Sequence, residues 1–217
     1  MKDIPHLVSR RALLGIGGLA LAPRLAQAQA PAAAPKEILV DVDKVSIDIQ
    51  KTPDFNVPNV TPKRFIPKDW IEIEVDCQAK LSKNATDKDQ KAYDEVTFQY
   101  YAYLSGNADA KKNRVLTGEV VHVNVPIGEK IHSVVYISPR TILKITEKPG
   151  PATKALIKAW GVAVFIKGTE VGRRTSDGNK EWWNDARLPQ KEAALLDKSK
   201  TPFAPLWGDY HLDVRAK

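Results

Sequence analysis

Cysteine occurs once in the 217 residues, at Cys77, so no disulfide forms within the chain and its core must hold by packing alone. Long apolar runs are missing too. The longest, Ala12 to Ala22, falls short of the roughly 20 residues a membrane-spanning helix needs. No H-E-x-x-H, G-x-S-x-G or G-x-x-x-x-G-K-[ST] pattern and no Cys/His nucleophile pair occurs, so nothing in the sequence marks an enzyme. A strong charge of one sign is likewise absent. Lys and Arg total 33 against 26 Asp and Glu, for a net charge of +7, and the two signs are mixed along the chain rather than gathered into the basic stripe of a nucleic-acid binder.

The chain begins as an exported protein does. Arg10 and Arg11 form a basic region, Ala12–Ala22 is apolar, and Ala-Gln-Ala precedes an expected cut after Ala28, so residues 1–28 read as a signal peptide. Ser9-Arg10-Arg11-Ala12-Leu13-Leu14 resembles the twin-arginine signal, with the ordinary Sec route as the alternative. Removing that segment takes away four cations and one anion and lowers the charge to +4. Residues 29–37 then read as an Ala/Pro tether and 38–217 as one domain, located in the periplasm or on the cell surface, with no transmembrane span in the mature chain.

From Ile38 the dominant signal is alternation with a period of two, which marks half-buried strands. Ile38, Val40 and Val42 share one parity and Val45, Ile47 and Ile49 the other, so a bulge or a change of sheet is expected at Asp43-Lys44. TPDFNVPNVTPKRFIPKD, with four prolines, is expected as an edge or loop. Ile71, Ile73, Val75 and Cys77 are expected inward on one strand, and Val96, Phe98, Tyr100, Ala102 and Leu104 on the next. Val121, Val123 and Val125 are assigned inward on RVLTGEVVHVNV, while KIHSVVYIS and ALIKAWGVAVFIKG continue the series. Turns are marked at Ser105-Gly106-Asn107, Pro126-Ile127-Gly128, Lys148-Pro149-Gly150 and Asp177-Gly178-Asn179. Only KEAALLDK, Lys191–Lys198, reads as helix. The expected fold is all-β, an immunoglobulin-like two-sheet antiparallel β-sandwich with a short C-terminal helix and an extended tail.

Aromatic residues stand where that fold has no use for them in its core. Tyr101, Tyr103 and Trp70 fall on outward parities. Phe203, Leu206, Trp207 and Tyr210, on a proline-stiffened tail, are read as a C-terminal clasp that covers them. Trp182 and Trp183 lie in a polar loop, as a plug for the sandwich end or a contact surface. Tyr101, Tyr103, Trp182 and Trp183 are the candidate partner-binding residues. His122 and His132 flank the turn at Ile127-Gly128 and are weak metal candidates, two imidazoles where a zinc site needs at least three protein ligands. Asp87, Asp89, Asp94 and Glu95 lack the glycine and glutamate of an EF-hand loop. Arg173 and Arg174 are assigned to an exposed edge, where charge discourages strand addition.

WIEIEV at Trp70–Val75, GEVVHVNVPIGEKIHSVVYISPRTI at Gly118–Ile142 and DKSKTPFAPLWGDY at Asp197–Tyr210 resemble the pilus-like protein family typified by an immunoglobulin-like cell-surface protein of Akkermansia. The resemblance runs from about Trp70 to Tyr210. It implies an immunoglobulin-like sandwich outside the inner membrane, working with type IV pilus-like machinery, without enzyme activity and without a cofactor. Nothing after Ala28 resembles the long apolar helix of a type IV pilin. The expectation is therefore a non-catalytic interaction module whose partner is a protein of a pilus-like or envelope assembly rather than a nucleic acid. The alternatives are a carbohydrate-binding module using Trp182, Trp183 and Trp207, and a metal-binding periplasmic protein using His122 and His132.

Overall fold

Alternating apolar and polar residues build nine strands among the described residues of the computed structural model, which are 37–55, 58–104, 114–147, 150–178, 180–191 and 193–216. The signal peptide expected over 1–28, the tether apart from Glu37, and the turn at Ser105-Gly106-Asn107 lie outside them, as do Lys148, Pro149 and Asn179 of two further turns. The strands are β1 (Val40–Lys51), β2 (Asp69–Ala79), β3 (Ala92–Leu104), β4 (Arg114–Pro126), β5 (Lys130–Ile137), β6 (Ile157–Ile166), β7 (Thr169–Thr175), β8 (Gln190–Lys191) and β9 (Leu196–Asp197). One helix, α1 (Pro139–Thr146), follows β5.

The strands form two sheets, ordered β1-β2-β5-β9 and β7-β6-β3-β4-β8. Every pairing is antiparallel except that of β8 with β4. The fold is the expected immunoglobulin-like β-sandwich. Ile71, Ile73, Val75 and Cys77 of β2 face Val96, Phe98, Tyr100, Ala102 and Leu104 of β3 across the core, all of them buried. Each large apolar side chain so buried contributes about 1.5–3 kcal/mol. The register of β1 against β2 shifts between Val42 and Lys44, so of the bulge and the change of sheet expected at Asp43-Lys44 the chain takes the bulge and stays paired with β2. A two-residue turn, Lys167 and Gly168 with φ of 49° and 76°, joins β6 to β7, as a tight hairpin requires.

Three expectations change. KEAALLDK is not helical: its start belongs to β8 and its end to β9, so it crosses from one sheet to the other. Both Ala194 N–H and Leu195 N–H donate to Thr117 O at 3.0 and 3.1 Å, both residues are buried, and Leu195 fills the space above Gly118. The helix lies instead at PRTILKIT, opened by Ser138, whose Oγ accepts from Thr141 N, and by Pro139 at its first turn. In β4 the inward residues are Val120 and His122, while Val121 and Val123 are half-buried on the other face. Asn124, at φ 53°, then resets the parity so that Val125 returns inward.

The sheets meet along one edge, where Leu39 N–H donates to Val171 O at 2.8 Å and Arg174 Nη1 to Val42 O at 2.8 Å. Gly172 makes this possible, because a Cβ there would stand 2.2 Å from Val40 O. Arg174 is thus a tie between sheets rather than a bare edge charge.

Candidate functional site

On the outer face of the five-stranded sheet, Tyr101 of β3 lies opposite Gly161 of β6. Trp183 lies flat over both, stacked on Tyr101 at 4.3 Å and 5°. It occupies the position of the side chain Gly161 lacks, where a Cβ would meet the indole at 2.2 Å. Trp182 packs edge-on against Trp183 at 5.5 Å and approaches Tyr103 at 6.3 Å. Arg173 fixes this loop: its guanidinium holds Glu170 through two bonds of 2.6 and 2.7 Å and also pairs with Glu181. The four partner-binding candidates therefore form one cluster, in which Trp183 is buried and Tyr101, Tyr103 and Trp182 are half-buried. Their cover is the Trp182–Trp183 turn, not the C-terminal tail.

The tail covers the other sheet. Phe203 stacks on Tyr136 at 4.7 Å and meets Trp70 edge-on at 5.8 Å, and Val134, Leu206 and Leu196 complete a second apolar cluster on the outer face of β2 and β5. Trp207 stacks over Phe203 at 6.4 Å while remaining 44% exposed. The clasp residues Phe203, Leu206, Trp207 and Tyr210 thus cover Trp70 but not Tyr101 or Tyr103. Trp207 stands on one outer face and Trp182 and Trp183 on the opposite one, the latter two at 83° to each other, so the three rings make no common platform for a sugar.

Beside the clasp lies a network of acids and histidines. Asp76 and His132 face each other across β2 and β5, with Nδ1 3.1 Å from Asp76 Oδ1, and Lys130 Nζ reaches Asp76 Oδ2 at 3.1 Å. Glu74 accepts from Tyr210 Oη and from His211 Nε2, each at 3.1 Å. Tyr210 stacks on His132 at 4.0 Å. The His211 hydrogen bond holds the Glu74 carboxyl below its ordinary range. Burial pushes the Asp76 carboxyl up, but the hydrogen bonds from Lys130 and His132 outweigh it and bring the value down. Glu74, Asp76 and His132 place ligand atoms within 4.8 Å of one another, close enough for one cation. All four carboxylate oxygens already accept from protein donors, so the arrangement works as a latch for the tail.

The two histidines paired by sequence are not brought together. His132 is on the outer face of the four-stranded sheet, whereas His122 points into the core of the other, because the turn between β4 and β5 passes from sheet to sheet. Tyr100 Oη donates to Ser133 Oγ at 2.6 Å, Ser133 Oγ lies 2.6 Å from His122 Nε2, and His122 Nδ1 lies 3.1 Å from Asp213 O. A carbonyl only accepts, so Nδ1 carries the proton and Nε2 accepts from Ser133. This relay ties both sheets to the tail. Burial drives the His122 pKa down to about 4. Sequence reasoning missed the acidic half of the outer network. Its signal was Glu72, Glu74 and Asp76 at one parity opposite His132, legible only once β2 was known to pair with β5.

The tail and β8 also occupy the edge of β4: Val115 N–H donates to Pro189 O, Val123 N–H to Asp213 O, and Arg215 N–H to Val121 O. The edge strand β1 pairs with β2 on one side, and only its first residues adjoin β7.

A family model, that of a group of pilus-like proteins, matches residues 31–217. The chain belongs to this pilus-like family. A crystal structure of a protein from Akkermansia muciniphila is similar to it, with a TM-score of 0.69 and 28% sequence identity over 82% of this chain and 93% of that one. No curated protein matches the chain. The family match takes in the whole sandwich of this pilus-like protein together with both of its aromatic covers. Among its described residues no helix is long and apolar enough to cross a membrane.

Proposed function

We propose that this pilus-like protein is a non-catalytic, exported interaction module of a type IV pilus-like or secretion assembly, and that it receives its protein partner along the second half of β1. The observation that carries this reading is the contrast between edges. The tail and β8 line β4, and β7 adjoins the start of β1, but among the described residues β1 has a strand neighbour on one side only from Lys44 to Lys51, the other side meeting just the turn at Lys154–Leu156 through the ion pair of Lys154 with Asp48. Val45, Ile47 and Ile49 are half-buried there, at the rim of the core. A partner strand would complete the backbone ladder and cover that apolar row, with affinity from main-chain bonds and specificity from alternate side chains. Residues 1–28 serve as the export signal and 29–37 as the tether. Tyr101, Tyr103 and Trp182 form a second contact surface held in place by Trp183.

The test is photo-crosslinking in intact cells from Lys44 and Asp48, compared with Asp94 on β3 and with Tyr103. Pilus-like or secretion components joined at Lys44 and Asp48 but not at Asp94 are the expected result. Components joined at Tyr103 alone would move the partner to the aromatic cluster, and no envelope protein at any position would overturn the reading.

A further inference from the structure

Exposed apolar side chains gather on the connection between β1 and β2 and on the neighbouring helix. Ile66 is 85% exposed, Val60 62% and Phe65 48%, and on α1 Leu143 is 49% exposed. A cleft of about 380 Å³ lined by Lys51, Pro67, Lys68, Pro139, Arg140 and Leu143 sets the connection beside the helix. The helix buries Ile142 and Ile145 and turns Arg140, Leu143 and Lys144 to solvent.

Charge around these side chains is mostly of one sign, the exposed Glu147 that caps the helix beside Leu143 and Lys144 being an exception. Lys63, Arg64 and Lys68 flank Phe65 and Ile66, Arg140 and Lys144 flank Leu143, and Asp69 is neutralised by Lys51 at 3.0 Å. Asp54 is the only other acid between Lys51 and Asp69. Among the described residues no ion pair holds Lys63, Arg64, Lys68 or Arg140.

We infer that this end of the sandwich docks on an anionic phospholipid bilayer, with Phe65, Ile66 and Leu143 entering the acyl boundary and the five cations resting on the headgroups. Apolar tips inside a collar of cations match a surface that is anionic outside and apolar a few ångströms beneath. An irregular connection carrying four prolines offers no regular backbone edge to a folded partner, yet it enters a lipid surface with little loss of chain entropy. The inference is independent of strand addition at β1.

The experiment uses the full chain carrying Thr61→Cys, labelled with an environment-sensitive fluorophore, and a control labelled at Lys167→Cys in the β6–β7 turn. Cys77 is buried and its thiol is pushed up to about 12, so the label goes to the introduced cysteine. Vesicles of phosphatidylglycerol and phosphatidylcholine are expected to shift the emission at position 61 to the blue and leave position 167 unchanged. Phe65→Ser with Ile66→Ser is expected to weaken vesicle binding about tenfold or more. Lys63→Glu, Arg64→Glu and Lys68→Glu together are expected to abolish the preference over pure phosphatidylcholine. Vesicle binding with no change at position 61, or an equal change at both positions, would place the contact elsewhere and overturn the inference. A response at position 61 to polyaspartate but not to vesicles would overturn it in favour of an acidic protein.

Discussion

A protonated His122 has nowhere to put its charge, because the ring is buried and both nitrogens are committed, one to Ser133 and one to Asp213 O. Burial lowers its pKa from 6.5 to about 4. As pH falls through 6.5 the unfolded chain takes up a proton that the folded chain refuses, so stability is complete above pH 6.5 and declines by about 3 kcal/mol toward pH 4. Urea titrations across that range are expected to show the decline, and His122→Gln is expected to lower stability at pH 7 while removing one proton from the slope. An unchanged slope would mean that another group titrates. Gly161 is the second decisive residue, since a methyl group there would displace the indole of Trp183. Gly161→Ala is expected to cost about 1–3 kcal/mol and to shift tryptophan emission to the red.

Each outer face is covered by an element that alternation could not reveal. Trp70, Tyr101 and Tyr103 were legible as outward aromatics in need of cover, but the tail was assigned to all three and takes only Trp70. The rest belongs to a turn anchored by Arg173, and its fit depends on Gly161 of β6, with β7 between the two in the chain and no local signal to mark the dependence. Phe203 is the hub of the tail cluster, and Phe203→Ala is expected to destabilise by about 3–5 kcal/mol in urea titration. Glu74 joins the latch to that cluster. Its pKa is depressed in the folded state, first by the His211 hydrogen bond, so its contribution is present above the ordinary carboxylate range and is lost as pH falls through the lower folded value. Glu74→Gln is expected to flatten the acid dependence of Trp207 exposure, measured by iodide quenching. KEAALLDK illustrates the opposite error: its composition favours helix, but both ends are recruited to strands of different sheets.

At the scale of the molecule, the last residues of the chain determine which edges are open. His122 and Val214 form an isolated bridge, with Asp213 and Arg215 bonded to β4 on either side. Removal of residues 211–217 exposes that edge and also breaks the His211 contact with Glu74. The truncated chain is expected to associate edge to edge, seen as concentration-dependent earlier elution in size-exclusion chromatography. A truncated chain that elutes unchanged would show that the tail does not guard β4.

The sequence by itself determined the class of the fold, because alternation and turn residues are local signals that each strand carries within its own few residues. It also determined the break in alternation after Val42, which the pairing with β2 resolves as a bulge, the outward parity of Trp70, Tyr101 and Tyr103, and the absence of any motif-defined catalytic group. Only the tertiary structure decided which sheet each strand joins, and with it the fate of His122 and His132, which share a turn but face the core and the solvent side of different sheets. It likewise decided which segment covers which aromatic. Those outcomes depend on contacts between residues far apart in the chain, and no local period encodes them.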